Sequence, residues 1–150
     1  MARSARRRAR ESALQVLYQL DESAQETWDV ERALEGYFAN FEHAEPARAF
    51  ARELVQGVAM HRPQIDQCIL ATSTSWRLER MSAVDRNLLR LGTFELLHGP
   101  EVPAAVVINE AVEIARRFGS ESSAAFVNGI LDEIARRNGR TGSPGPGGGG

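Results

Sequence analysis

Residues 103–119, PAAVVINEAVEIARRFG, decide the fold. The opening run AAVVI would suit a strand, because β-branched side chains fit a pleated surface. The rest of the stretch does not. Val107, Ile108, Ala111, Ile114, Ala115 and Phe118 recur at steps of three and four for two further turns, whereas Asn109, Glu113, Arg116 and Arg117 fall elsewhere. A strand would scatter those apolar groups over both faces; a helix gathers them into one stripe. Pro103 suits a first helical turn, and Gly119 suits a helix end.

The same punctuation recurs on both sides. Upstream, Ser82-Ala83-Val84-Asp85 reads as a capping-box-like start to a helix with Val84, Leu88, Leu89, Leu91, Glu95 and Leu96, ending at Gly99-Pro100. Downstream, a last helix starts at Ser120 and buries Val127, Ile130, Leu131 and Ile134. In the first half, helices are predicted after Ser4, from Thr27 or Asp29 to about Phe41, from Pro46 to Pro63, and briefly from Pro63 through Ile65, Cys68 and Ile69. Thr72 to Ser75 is polar and weakly helical, which marks a boundary. The expected architecture is all-α, with two small packed bundles of about three helices each and a short connector: residues 1–75, then 76–140. Residues 141–150, rich in Gly and Pro, cannot bury a core and are expected to be disordered. Gly57, Gly92 and Gly129 lie inside helical patterns, where close helix packing is reason enough for each.

Charge is distributed unevenly along this chain of 150 residues. Five of its 18 basic residues, Arg3, Arg6, Arg7, Arg8 and Arg10, fall within the first ten positions, and the remaining 13 face 20 acidic residues. A mildly acidic protein thus has one concentrated positive end, which makes an anion-binding footprint that the net charge of −2 conceals. All the basic residues are Arg, whose planar fork grips phosphate with two bonds and stacks on bases. Arg3, Arg6, Arg7 and Arg10 follow helical spacing in line with Leu14 and Leu17, so they read as a cationic overhang of the first helix. Arginines crowding a helix N-terminus oppose the macrodipole at a cost of a few tenths to about 1 kcal/mol each. A bound anion would reverse that conflict.

Catalytic and metal sites are not indicated. His43, His61 and His98 are scattered without ligand spacing, Cys68 reads as a small buried hydrophobe in a reducing compartment, and no glycine-rich phosphate loop joins a strand to a helix. No apolar run approaches the ~18 residues that span a bilayer, so no membrane partner is expected. The turn FGSESSAAFVNG is a second candidate for nucleic acid: Ser120, Ser122 and Ser123 crowd a helix start, and Phe126 falls off the main stripe, where it could stack on a base or simply pack under a neighbour.

Four blocks in order, RRRARESALQVLYQ (6–19), VDRNLLRLGTFEL (84–96), VPAAVVINEAVEIARRFG (102–119) and FVNGILDEIA (126–135), resemble the NusB family of bacterial transcription antitermination factors. The likeness runs from residue 3 to about 137 and is weak between about 21 and 45. It implies an all-α fold of two bundles and a cytoplasmic, non-catalytic, cofactor-free role: binding boxA RNA together with NusE, the ribosomal small-subunit protein, within the RNA polymerase antitermination complex. It also implies that Arg3, Arg6, Arg7, Arg8 and Arg10 meet RNA together with Ser122 and Phe126, and that Asp85, Arg90 and Glu95 face NusE. Ser122 stands where some relatives have an acidic residue. On this reading, changing Arg6, Arg7 and Arg10 together to Ala should weaken RNA binding and leave the helical melt nearly unchanged.

Two other readings compete with this one. The Arg-rich start also describes a mitochondrial transit peptide on a protein-interaction bundle. A NusB-like domain also precedes the catalytic domain of certain RNA cytosine methyltransferases, for which the glycine tail is expected to leave no room.

Overall fold

In the computed structural model, which describes residues 4–40, 45–75 and 77–140, every element is helical. The elements are α1 Ala5–Glu22, α2 Val30–Asn40, α3 Glu45–Met60, α4 Arg62–Thr72, a 3₁₀ turn Leu78–Arg80, α5 Ala83–His98, α6 Ala104–Phe118 and α7 Ser123–Arg137. Arg3, Phe41, His43 and residues 141–150, the expected disordered tail, lie outside the described residues.

The helix starts follow local chemistry. Ser4 Oγ accepts from the Arg7 amide at 3.1 Å, and Ser82 Oγ accepts from the Asp85 amide at 3.1 Å, each satisfying a donor that the first turn leaves free. Asp29 does the same for Arg32. Between α3 and α4 the axis breaks at His61, just before Pro63, whose ring removes a backbone donor. One start differs from expectation: α7 begins at Ser123, three residues after Ser120. The Ser123 hydroxyl turns back to accept from the Ser120 amide at 2.9 Å, so residues 120–122 are used in the turn.

α5 is the central helix. It packs against α1, α3, α4, α6 and α7, and Asn87 through Thr93 are all buried. One connected apolar core runs through both halves of the chain, with Leu17, Leu54, Ile65, Leu88, Ile114 and Leu131 among its fully enclosed side chains. α1 and α3 share a smaller cluster of Ala9, Ala47 and Ala51 beneath the half-buried Phe38 and Phe50. Two of the helical glycines mark close approaches: a Cβ on Gly57 would stand 2.1 Å from the Phe94 ring, and one on Gly92 would stand 2.6 Å from Leu131 Cδ1. Gly129 has open space around it, so close packing does not account for it. Phe118, expected in the stripe of α6, is partly exposed at the end of that helix. Cys68 is half-buried against the core, and burial pushes its thiol pKa up, which fits an inert side chain.

The histidines are less scattered than their spacing suggests. The break at His61 sets its ring 4.0 Å from that of His98 in a stack that Phe94 extends, and His98 Nε2 lies 3.1 Å from Gln64 Oε1. Lost hydration first, and then the charge of His61, lower the His98 pKa. A histidine lowered in the fold stabilises it fully above the unfolded value of about 6.5, and that contribution is lost as pH falls from there toward the folded value. The melting midpoint of the wild type should therefore drop further between pH 7.5 and 5.5 than that of His98→Gln. Parallel drops in the two proteins would remove His98 from the account.

Candidate nucleic-acid interface

The Arg-rich start of α1 divides into two classes. Arg6 and Arg8 are exposed, and neither is ion-paired among the described residues. Arg7 and Arg10 are committed inward. Arg7 Nε and Nη2 donate to the two Glu110 carboxylate oxygens at 2.8 and 2.7 Å, and Arg10 makes the same fork to Glu95 at 2.8 and 2.7 Å. The hydrogen bonds from Arg7 hold the Glu110 carboxyl below its ordinary pKa, and the same pair raises Arg7. Only 5% of the Arg10 side chain is exposed, against 28% for Arg7.

Arg10 is therefore enclosed and not part of an exposed cationic overhang of the kind the helical phase suggests. Its guanidinium reaches the space between α1 and α5, because α5 supplies Glu95 at the point where α1 would otherwise present a leucine. Arg7 keeps an exposed edge. Arg3 lies outside the described residues.

The second predicted patch lies at the α6–α7 turn. Ser122 is exposed and makes no side-chain cap, with Ser120 Oγ at 3.3 Å from its hydroxyl, while Phe126 is half-buried against the core. Arg117, at the end of α6, lies 3.6 Å from Glu11 of α1, and this bridge ties the last turn of α6 to the first helix. Sequence spacing offers no sign of Glu11, Glu95 and Glu110 as anchors, since their partners lie on other helices.

The residues expected to face a protein partner are placed differently. Arg90 is buried, with Nε and Nη2 donating to Asp66 at 2.9 and 3.1 Å and Nη1 to Asn87 at 3.0 Å. It also lies 3.5 Å from Asp21. Burial pushes the Asp21 carboxyl upward, but hydrogen bonds from Arg86 and Asn87 and the charge of Arg90 outweigh it and hold the pKa low. Glu95 is the buried mate of Arg10. Both residues are thus enclosed in ion pairs rather than presented to a partner, because α5 is surrounded by five other helices. Asp85 lies at the first turn of α5 and is partly exposed, yet its Oδ1 is buried without a hydrogen-bond partner among the described residues. The return half of a capping box is absent there.

Among the described residues, no group of three or more His, Cys, Asp or Glu is placed to hold a metal ion, and no helix is long and apolar enough to cross a membrane. The profile of the NusB family matches residues 7–136, which take in α1 from Arg7 onward, the α5 core and the α6–α7 turn. The chain belongs to the NusB family. The transcription antitermination protein NusB of Anaeromyxobacter dehalogenans is 53% identical over 133 residues, covering 88% of this chain and 91% of that protein. Its namesake in Myxococcus xanthus is 52% identical over 135 residues, covering 87% and 94%. Among solved structures, T. maritima NusB superposes with a TM-score of 0.80 at 39% identity, covering 90% of this chain and 93% of that one. A chain from the crystal structure of antitermination factors NusB and NusE in complex with dsRNA gives 0.78 at 27% identity, covering 89% and 97%. Arg7, Arg10, Glu95 and Glu110 all fall inside the stretch that the NusB profile matches.

Proposed function

We propose that this chain is a non-catalytic transcription antitermination factor of the cytoplasm that binds boxA RNA jointly with NusE in the RNA polymerase antitermination complex. The observation that carries the reading is NusB membership along residues 7–136, with a relative of known partners, NusE and dsRNA, sharing the fold. The geometry supports a division of labour. Arg6, Arg8 and the open edge of Arg7 grip phosphate, while Arg10 holds α1 in place. Ser122 and Phe126 offer hydroxyl and ring contacts at the turn that Arg117 ties to α1. The face for NusE includes Asp85 at the first turn of α5, and Arg90 and Glu95 support that helix from within. Phosphate contacts set position, and base contacts set specificity.

Gel shifts with single-stranded boxA RNA, a scrambled strand and an RNA duplex, each with and without NusE, test this. Binding to boxA should be weak alone and tighter with NusE, because two adjoining surfaces then hold one strand. With about 3 or 4 phosphates neutralised, log K should fall with log salt at a slope of magnitude roughly 2 to 3. Equal affinity for boxA and scrambled RNA in the presence of NusE would reduce the protein to an electrostatic binder and end the sequence-specific reading.

A further inference from the structure

With Arg7 and Arg10 held by carboxylates, the overhang of α1 is a smaller cationic surface than five arginines suggest. A neighbouring helix adds to it. Arg6 places its guanidinium carbon 4.3 Å from the centre of the Phe50 ring, and Arg48 of α3 places its own 5.2 Å from the Phe38 ring. Both arginines are exposed, and neither has a carboxylate partner among the described residues, whereas Arg52, one turn further along α3, is paired to Glu31. Glu45, the acidic residue in the first turn of α3, lines a cleft with Arg52 and Gln56. The two phenylalanines are both packed on the Ala9, Ala47 and Ala51 cluster that joins α1 to α3. Arg6 and Arg48 are thereby carried on one apolar base to which α1 and α3 give the alanines, α3 gives Phe50 and α2 gives Phe38. An arginine over an aromatic face keeps its N–H edge free for phosphate, and the ring restricts the side chain before any ligand arrives.

We infer that Arg48 is a phosphate-contacting residue and that the RNA surface continues from the start of α1 onto α3 along Arg6 and Arg48, with Phe38 and Phe50 as their supports. The inference rests on the RNA-binding reading above. Charge decides the kind of ligand: two unpaired guanidinium groups carried on separate rings of one apolar base suit the repeated phosphates of a nucleic-acid backbone rather than a single small anion.

Fluorescence anisotropy with labelled single-stranded boxA RNA over a salt series separates the outcomes. Arg48→Ala should bind about three- to tenfold more weakly at low salt, lower the magnitude of the log K against log salt slope by about 0.7, and melt like the wild type. Arg48→Lys should restore most of the slope, since the charge remains. Arg6→Ala is the internal standard. If Arg6→Ala lowers the slope and Arg48→Ala does not, the surface stops at α1 and the inference is overturned. If the wild type fails to bind the RNA, the parent reading has failed and Arg48 falls with it.

Discussion

Arg10→Ala should destabilise the protein by about 3 to 5 kcal/mol, because it leaves the Glu95 carboxylate buried without its mate. In a protein of this size that corresponds to a melting midpoint roughly 6 to 20 °C lower. The geometry behind the figure is a two-bond fork at 2.8 and 2.7 Å between side chains that are 5% and 6% exposed. Arg8→Ala, on an exposed position of the same helix, should cost no more than about 0.5 kcal/mol. The experiment has a second arm. Replacing both partners, Arg10→Met with Glu95→Leu, removes the stranded charge and should recover most of the loss. Thermal melts of the three variants decide the matter: equal midpoints for Arg10→Ala and Arg8→Ala would show that the buried pair contributes nothing. The triple change of Arg6, Arg7 and Arg10 to Ala consequently cannot leave the helical melt unchanged, and RNA binding lost in that variant reports unfolding as much as lost phosphate contact. Arg6→Ala alone is the clean probe.

The second large effect centres on Leu131 and Gly92. Leu131→Ala should cost about 2 to 5 kcal/mol, since Leu131 is fully enclosed and its removal opens a cavity against α5. Gly92→Ala alone should also destabilise. It gains about 1 kcal/mol of helix propensity, but its Cβ would stand 2.6 and 2.9 Å from the two Leu131 methyl carbons, an overlap that costs about 1 to 3 kcal/mol to relieve. Together the changes should be less damaging than their sum. The methyl introduced at position 92 occupies space that Leu131 vacates, and the clash disappears with the side chain that caused it. Denaturant titrations of both single variants and the double variant would measure this as a coupling of about 1 kcal/mol or more. Strict additivity would mean that α5 and α7 do not meet at Gly92.

The parts of the fold that the chain announces are those whose causes are local. The caps at Ser4 and Ser82, the end of α6 at Gly119 and the stripe from Val107 to Ala115 each depend on residues within a few turns of one another. The start of α7 shows where local reasoning slips: Ser120, Ser122 and Ser123 are all able caps, yet α7 begins without a side-chain cap, and the completely buried Ser123 closes the preceding turn from inside. Arg10 shows the larger difficulty. Its phase in line with Leu14 and Leu17 points inward, and an arginine at such a position either projects past the end of the core or finds a buried carboxylate. Which of the two occurs depends on where α5 ends up, and no spacing within α1 carries that information. The same holds for Arg90, whose mates Asp66 and Asp21 come from α4 and α1. His61 and His98, 37 positions apart in sequence, meet only because α3 breaks where α5 ends.

The two forks that fasten α1 also set an order of events during synthesis. Arg10 waits for a residue 85 positions later, and Arg7 for one 103 positions later. At about 5 to 20 residues per second, the ribosome delivers those carboxylates roughly 5 to 20 s after the arginines have been made. Throughout that interval the emerging chain displays all its N-terminal guanidinium groups and lacks the acids that take two of them out of circulation. The nascent protein thus presents a larger and less discriminating cationic end than the finished one, and completing the chain is itself the step that narrows its appetite for anions.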